Sequence, residues 1–308
     1  MEPFFTVVVP SLNQGAYLEQ ALRSLLAQRA DDLEIIVVDG GSTDGSVGII
    51  ETFAAQLGGE RFGEFFGHAV AENERVKEQA TESIRFLWCS EKDRGQSHAF
   101  NKGFARARGR FLFWLNADDL LLPGTLDRVR AYLAAHESTE WIAGDQIYID
   151  AEGRILRCSR GNRWHDFLYR HAPVHVFGPS SFFSKALWGR VGGADENLRY
   201  CMDWDLWLKF RKAGARFVRL EHYCWALRQH SGSKTQGGER DKEDVHWREI
   251  HAMCRRNGLE VTAAGVWLQR AWRLATGCYV RAWLDTCRYC GHPVAAMGRV
   301  KTDERRAR

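Results

Sequence analysis

Short segments that are apolar on every side, each followed by a polar turn and a helical pattern, constrain the fold of this chain most strongly. FFTVVVP is followed by the turn SLNQGAY and by leucines at helical spacing, and LEIIVVD is followed by GGSTDGS and a second helical pattern. Strands without a polar face are typical of a parallel sheet that helices cover on both sides. The repeated order of strand, turn and helix therefore predicts a doubly wound α/β sheet.

The pattern resumes after an interruption between residues 58 and 83, which is rich in Glu, Gly and Arg and which we predict to be a surface insertion. IRFLWC and RFLFWL predict two further strands, and the segment between them predicts a helix that ends at Gly109. Beyond about residue 235 the pattern is helical and basic. We therefore expect one α/β domain over residues 1–235 and a basic helical extension over residues 236–308.

Composition and length exclude several classes of protein. No apolar run approaches the roughly 20 residues of a membrane-spanning helix, and the N-terminal segment lacks the pattern of a secretory signal. Eight cysteines in 308 residues do not form a dense disulfide framework, so we expect reduced thiols and a cytoplasmic protein. Cys287 and Cys290 have metal-ligand spacing, but no second pair matches it, so we do not predict zinc. The formal net charge of +4 does not call for nucleic acid.

Polar groups stand at the ends of three predicted strands. They are Pro10, Ser11 and Asn13 after the first, Asp39, Ser42 and Asp44 after the second, and Asn116, Asp118 and Asp119 after RFLFWL. In an open α/β sheet, ligands bind beyond the carboxyl ends of the strands. We therefore expect these groups to converge on one crevice.

The adjacent carboxylates of Asp118 and Asp119 have two explanations. Like charges repel and both lose hydration on burial, and a divalent cation removes that conflict because Mg²⁺ and Mn²⁺ take oxygen ligands. Alternatively, the pair caps the helix predicted to begin near Pro123. The local sequence supports both explanations equally.

Five segments, in this order, resemble the inverting family 2 glycosyltransferases of the GT-A fold. They are VVVPSLNQGAYLEQALRSLLAQ, LEIIVVDGGSTDGS, EKDRGQSHAFNKGFARARG, FLFWLNADD and YCMDWDLWLKF. The resemblance covers about residues 4–235 and extends to the enzymes that build bacterial surface polysaccharides. It implies a mixed, mainly parallel sheet, a nucleotide-sugar donor, most commonly a UDP-sugar, and a saccharide or lipid-linked acceptor.

The resemblance also implies the residues that bind the donor. Pro10, Ser11 and Asn13 match the loop that lines the nucleotide pocket, and Asp39 matches the acid that hydrogen-bonds the base. Ser42 belongs to the same set, Asp44 is expected to be structural, and Asp93, Gln96 and Asn101 match the segment under the ribose and donor sugar.

The metal site is implied in the same way, with Mn²⁺ or Mg²⁺ as the cofactor. Asn116, Ala117 and Asp118 fill a three-residue metal motif whose first position is more commonly Asp, which leaves Asp118 as the first ligand and Asp119 as the second. His230, in LRQHSGSKT, could complete the site, since imidazole binds Mn²⁺ more readily than Mg²⁺. Arg228 and Lys234 could neutralise the diphosphate; the alternative is a flexible polar loop.

Inverting transfer needs a carboxylate that takes the proton of the acceptor hydroxyl. The resemblance places Asp203 at this position, with Met202 where Glu is common, while Asp205 points elsewhere if the helix has begun. The alternative is that both acids only stabilise a helix N-terminus.

The extension contains a helical pattern in which Trp267, Ala271, Leu274 and Ala275 form an apolar face beside Arg270 and Arg273. Such a helix can lie in a membrane interface, or it can pack on the catalytic domain with its arginines in solvent. Both alternatives stay open, and a peripheral membrane contact is one of them.

The sequence agrees less well with three other functions than with a glycosyltransferase. A nucleotidyltransferase needs a Gly-rich phosphate loop with a basic residue, and PSLNQGAYL has one glycine and no Lys or Arg. A dinucleotide dehydrogenase needs G-x-G-x-x-G after the first strand, which is absent. A non-catalytic nucleotide-sugar binder does not need Asp203.

Overall fold

The computed structural model describes residues 2–62, 84–233 and 242–299. The predicted insertion at 58–83 therefore falls largely outside the described residues, as does Lys234. The strands are β1 (Phe5–Ser11), β2 (Leu33–Asp39), β3 (Glu60–Arg61), β4 (Arg85–Ser90), β5 (Phe111–Trp114), β6 (Leu120–Leu121), β7 (Trp141–Ile149), β8 (Ile155–Ser159), β9 (Ser181–Ser184) and β10 (Phe217–Arg228).

The helices alternate with these strands in the first half of the described chain and dominate its end. They are α1 (Gly15–Leu26), α2 (Ser46–Leu57), α3 (Gln96–Phe104), α4 (Thr125–Ala135), α5 (Asp166–His171), α6 (Lys185–Val191), α7 (Met202–Lys212), α8 (Lys242–Asn257), α9 (Ala263–Ala275) and α10 (Cys278–Tyr289). Among the described residues, none of these helices has the length and apolar character needed to cross a bilayer.

The strands form one mixed sheet in the order β3-β4-β2-β1-β5-β9-β7-β10-β6, with β8 paired to β7. β1 lies parallel to β2 and β5, and β2 and β3 lie parallel to β4. β9 runs antiparallel between β5 and β7, and β10 returns parallel to β7. The predicted fold class, a mainly parallel sheet flanked by helices, is confirmed.

The central strands carry no polar face because alternate residues pack into apolar clusters on opposite sides of the sheet. Val7 and Val9 of β1 pack with α1 and α2 in one apolar cluster, while Val8 packs on the opposite side with α3, α6 and α7. Trp188 and Trp207 are buried in the second cluster. Both faces of the sheet are therefore covered, as the continuous apolar runs predicted.

The end of α3 was predicted wrongly, since the helix stops at Phe104 rather than at Gly109. The next residues turn toward β1 and β2, where the buried carboxylate of Glu34 accepts the Arg108 backbone N–H at 2.7 Å. Gly109 donates to Thr6 Oγ1 at 2.9 Å, and a Cβ at Gly109 would lie 2.5 Å from the Thr6 nitrogen. A buried charge without hydrogen bonds costs free energy. The hydrogen bonds to the Glu34 carboxylate and to Thr6 therefore stabilise this conformation more than a continuation of α3 to Gly109 would.

The extension packs on the α/β domain through α9 and α10. Gly265 of α9 lies directly on α5, where an added Cβ would come within 2.1 Å of the His171 carbonyl oxygen. Gln269 Nε2 donates to the Pro173 oxygen at 2.6 Å, and Arg273 Nη2 donates to the Arg160 oxygen at 3.0 Å. Polar contacts and a close backbone approach therefore set the orientation of α9.

We expect Gly265→Ala to destabilise the docking of α9, because a backbone oxygen at 2.1 Å cannot move aside as a flexible side chain can. Overpacking of this kind costs about 1–3 kcal/mol. Thermal unfolding should show a lower Tm, and limited proteolysis should release the C-terminal helices faster. Gly189→Ala in α6, where an added Cβ meets no atom within 4 Å, is the matched control. Equal Tm and equal proteolysis for both variants would contradict the docking.

Candidate active site

A cavity of about 650 Å³ opens where β1, β4 and β5 end. Eight predicted site residues line it, namely Pro10, Ser11, Asp93, Gln96, Asn116, Ala117, Asp118 and Arg228. Seven described residues of the predicted set do not line it, namely Asn13, Asp39, Ser42, Asn101, Asp119, Asp203 and His230. The polar groups after β1 and β5 therefore meet at one crevice, as expected for neighbouring strand ends, whereas those predicted after β2 do not line it and residues after β4 take their place.

Asn13 and Ser42 connect the loops after β1 and β2. The Asn13 N–H donates to Ser42 Oγ at 2.8 Å, and the Thr43 N–H donates to Asn13 Oδ1 at 2.9 Å. Asp44 accepts from the Gly15 N–H at 2.8 Å and from the Ser46 hydroxyl at 2.6 Å. The structural role predicted for Asp44 matches these contacts, and Asn13 and Ser42 share it.

Asp39 lies at the end of β2 with its carboxylate fully buried. Oδ2 accepts from the Ser42 N–H at 2.8 Å and from the Ser90 hydroxyl at 2.7 Å, and Oδ1 accepts from the Ser42 hydroxyl at 2.5 Å. The turn after β2 folds back onto the carboxylate and supplies these donors, so Asp39 holds the turn. Its contact with the base stays a prediction.

Asp93 occupies the position beside this turn and lines the cavity. A Cβ placed on Gly40 would lie 3.0 Å from Asp93 Oδ2, so Asp93 fills the space that a side chain at residue 40 would take. Oδ1 accepts the Gly95 N–H at 2.8 Å, whereas Oδ2 has no hydrogen-bond partner among the described residues. The carboxylate of Asp93 therefore brings a hydrogen-bond acceptor to the cavity next to the end of β2.

The loop after β5 separates the two neighbouring aspartates. Asp119 is fully buried, and its carboxylate accepts from Asn116 Nδ2 at 2.8 Å and from the Arg228 N–H at 2.9 Å. Burial, reinforced by the charge of Asp118, raises the pKa of Asp119 well above its usual value. Asp118 instead lines the cavity. Of these two aspartates, the structure thus places only Asp118 where a ligand can reach it. Asp119 stabilises the loop through its hydrogen bonds with Asn116 and Arg228.

Asp118 and His230 meet at the cavity, with Oδ2 and Nε2 3.2 Å apart. The ring of Tyr17 packs on His230 at a centroid distance of 4.6 Å. One carboxylate and one imidazole suit Mn²⁺ or Mg²⁺ if diphosphate oxygens and water complete the coordination. No cluster of three or more ligating side chains occurs in the described parts of the chain, so such a cation would depend on the bound donor.

The guanidinium of Arg228, next to Asp118, donates all its described hydrogen bonds to other groups of the protein. Nε donates to the Asp118 carbonyl at 2.8 Å, Nη1 donates to the Ala151 carbonyl at 2.7 Å, and Nη2 donates to Gln20 Oε1 at 2.9 Å. Burial lowers the pKa of Arg228. These contacts fix the backbone of Asp118, so Arg228 holds the loop that carries this residue, while its role at the diphosphate stays a prediction.

Asp203 begins α7 beside the end of β5. A Cβ at Gly178 would lie 3.5 Å from Asp203 Oδ2 and 2.9 Å from the Trp114 ring, so these three residues pack together where β5 ends and α7 begins. Asp205 is buried and forms ion pairs with Arg256 and with Lys209, the latter at 3.0 Å. The structure therefore separates the two acids, because Asp205 is paired with basic side chains inside the protein, whereas Asp203 packs against Gly178 beside Trp114.

The contacts of Asn101 reveal a wall of the cavity that sequence reasoning missed. Its side chain donates to the Ala194 carbonyl and to Glu196, both at 2.9 Å, and accepts the Ala194 N–H at 2.9 Å. It thereby holds the segment whose residues Glu196 to Arg199 line the cavity. The segment DENLR gave no local signal, because its contacts lie about 95 residues away in sequence.

The sequence matches a known family. The profile described as Glycosyl transferase family 2 matches residues 6–184. A PGL/p-HBAD biosynthesis glycosyltransferase of Mycobacterium bovis is 28% identical over 227 residues, which is 71% of this chain and 74% of that protein.

Solved structures share the fold. S. aureus TarS 1-349 in complex with UDP-GlcNAc is 18% identical with a TM-score of 0.57, over 82% of this chain and 66% of that chain. The chain spans about two thirds or less of the TarS chains. The mannosyltransferase PcManGT from Pyrobaculum calidifontis, in complex with GDP-Man and Mn²⁺, is 19% identical with a TM-score of 0.58, over 96% of this chain and 79% of that chain. The chain belongs to glycosyl transferase family 2 and has the GT-A fold.

Proposed function

We propose that this protein transfers a sugar, with inversion, from a nucleoside-diphosphate sugar to a hydroxyl of a saccharide or lipid-linked acceptor in glycoconjugate biosynthesis. Residues 1–235 form its catalytic unit. The observation that carries the proposal is the cavity beyond the strand ends, where Asp118 meets His230 at 3.2 Å. The complexes of TarS with UDP-GlcNAc and of PcManGT with GDP-Man support a nucleotide-sugar donor.

The reaction is a single displacement. The acceptor oxygen attacks the anomeric carbon, its proton passes to the Asp203 carboxylate, and the bond from that carbon to the diphosphate breaks with both electrons leaving on the diphosphate. Asp118 and His230 would hold a divalent cation, Mn²⁺ or Mg²⁺, which neutralises the charge of the diphosphate when it is bound. Gln96 Nε2 donates to Asn116 Oδ1 at 2.7 Å and orients that amide at the cavity wall.

Asp93, rather than Asp39, recognises the nucleobase. Asp39 has no exposed surface, while Asp93 lines the cavity. An ionised carboxylate only accepts hydrogen bonds, so it selects a base edge that presents an N–H. Uracil offers such an N–H at N3 and guanine at N1, whereas N3 of cytosine is an acceptor. The site therefore favours UDP over CDP.

We expect Asp93→Asn to weaken UDP binding by about tenfold or more, because a hydrogen bond to a charged group contributes about 1.5–3 kcal/mol. CDP should lose less affinity, since the amide can donate to cytosine N3. Calorimetric titration of both nucleotides with Mn²⁺ present measures the ratio of their Kd values. Asp127→Asn, at an exposed position on α4, is the control. An unchanged ratio in Asp93→Asn would remove Asp93 from base recognition.

The function itself is tested by donor turnover. Nucleotide sugars are first screened for a Tm increase with and without Mn²⁺; a ligand at 100 times its Kd should add about 2.7 kcal/mol. The selected donor is then incubated with the protein, and the release of nucleoside diphosphate is followed. Release of the diphosphate supports the transferase, whereas tight binding without turnover, or release of pyrophosphate, would replace it with a binding protein or a nucleotidyltransferase.

A further inference from the structure

Helix α9 packs on the protein with its polar side chains inward. Gln269 and Arg273 are buried and donate to backbone carbonyls of the α/β domain. On the opposite side, Trp267 is 68% exposed and Leu274 is 60% exposed. A surface helix of a globular protein normally buries its apolar stripe. Helix α9 instead buries polar side chains and exposes its apolar side.

Helix α10 has the same orientation. Asp285 faces inward, where it accepts from the Tyr223 hydroxyl at 2.6 Å and from Arg160 Nη2 at 2.7 Å. Thr286 Oγ1 accepts the Cys158 N–H at 2.9 Å. Trp283, at 64% exposure, lies on the outer side with Val280 and Leu284. Polar anchors thus hold both helices so that their apolar sides face away from the domain.

The exposed apolar residues are concentrated on these two helices. Of the thirteen large apolar side chains that are exposed in the described chain, eight belong to α9 and α10, namely Trp267, Leu268, Trp272, Leu274, Tyr279, Val280, Trp283 and Leu284. Concentrations of this kind mark sites of interaction with a membrane or another protein. We call the exposed residues of α9 and α10 the α9–α10 face.

The charges on the α9–α10 face distinguish between occupants. Its exposed charged residues are Arg270, Arg281 and Arg288, of which Arg281 pairs with Glu221 of β10 at 3.5 Å, and the acid in these helices, Asp285, is turned inward. A second copy packed by two-fold symmetry would bring two faces of equal positive charge together. Tryptophan and leucine surrounded by arginine instead match the boundary between acyl chains and anionic headgroups. The charge therefore favours a lipid surface.

We propose that the α9–α10 face binds the surface of an anionic phospholipid bilayer, with Trp267 and Trp283 at the headgroup boundary and the arginines against lipid phosphates. This contact needs neither donor nor acceptor, so its test is separate from that of the transfer reaction. Its consequence is that the α/β domain is held at a membrane surface, where lipid-linked acceptors are found.

The test is flotation of the full chain with vesicles of phosphatidylcholine alone or with about 30% phosphatidylglycerol, the anionic component that the arginines require. We expect flotation with the anionic vesicles and at least tenfold weaker binding for Trp267→Ser combined with Trp283→Ser, since both indoles lose their apolar contact. Trp247→Ser on α8, where the side chain is also exposed at 57%, is the matched control and should bind as the wild type does.

A second variant tests the charge. Arg270→Gln combined with Arg288→Gln should reduce the preference for anionic vesicles and the sensitivity of binding to salt. Absence of flotation for the wild-type protein, or equal flotation of the double tryptophan variant, overturns the proposal. The proposal is also overturned if sedimentation shows that the wild-type protein is a dimer, that the tryptophan substitutions dissociate it, and that vesicle binding is unchanged. The α9–α10 face would then bind a second copy of the chain.

Discussion

Asp203→Asn should lower the kcat of sugar transfer by about 10²–10⁴-fold, the range for loss of a general base. The amide keeps the shape of the carboxylate but cannot take the acceptor proton. Donor binding should change little, because the proposed role of Asp203 is to take the proton of the acceptor hydroxyl and not to bind the donor. Initial rates of nucleoside diphosphate release, together with the Kd of the donor from titration, separate the two effects.

Asp205→Asn is the control for that experiment, since the two acids are two residues apart on one helix. Asp205 is buried and paired with Arg256 and Lys209, and breaking a buried pair destabilises a protein by about 3–5 kcal/mol. We therefore expect a lower Tm but nearly normal kcat in the folded fraction. Normal turnover in Asp203→Asn, with turnover lost in folded Asp205→Asn, would exchange the roles of the two residues.

Asp118→Ala should abolish the dependence of donor binding on Mn²⁺ and lower kcat/KM by about 10²-fold or more, because stabilisation of charge on a leaving group contributes several kcal/mol. The variant removes the carboxylate that meets His230 at 3.2 Å in the cavity. Two measurements check it: donor titrations with and without Mn²⁺, and the electron paramagnetic resonance signal of Mn²⁺ with nucleoside diphosphate present.

Asp119→Asn is the matched substitution, at the neighbouring residue. Its carboxylate is buried against Asn116 and the Arg228 N–H, and burial already raises its pKa, so we expect an effect on stability and retained Mn²⁺ dependence. The opposite pattern, with Mn²⁺ dependence lost in Asp119→Asn and kept in Asp118→Ala, would move the metal ligand to Asp119.

The roles predicted from the resemblance differ in how well the contacts agree with them. Asp118 and His230 lie together, as expected for residues of one metal site. Asp39 and Arg228 carry the residue types that the family pattern needs, yet their polar atoms are engaged by Ser42, Ser90, Asp118 and Ala151. A motif gives the position of a residue in the chain, but not the donors and acceptors that the rest of the fold brings to it.

The orientation of α9 is a second property that the sequence pattern could not determine. The periodicity predicted an apolar face formed by Trp267, Ala271 and Leu274, and it could not determine whether that face points inward or outward. The approach of Gly265 to His171 and the carbonyl groups that accept from Gln269 and Arg273 determine it. These partners lie about a hundred residues away, so no local pattern contains them.

The amino-acid sequence by itself determined the elements and the class of sheet, because apolar periodicity, glycine turns and strand-end polar groups act over neighbouring residues. It also brought Asp118 to a strand end and Asp203 to the start of a helix. Only the tertiary structure decided which carboxylates are buried and neutralised, which of them face the cavity, and which side of α9 and α10 meets solvent. Burial and hydrogen bonding depend on groups that are distant in the chain and become neighbours only when the sheet and helices assemble.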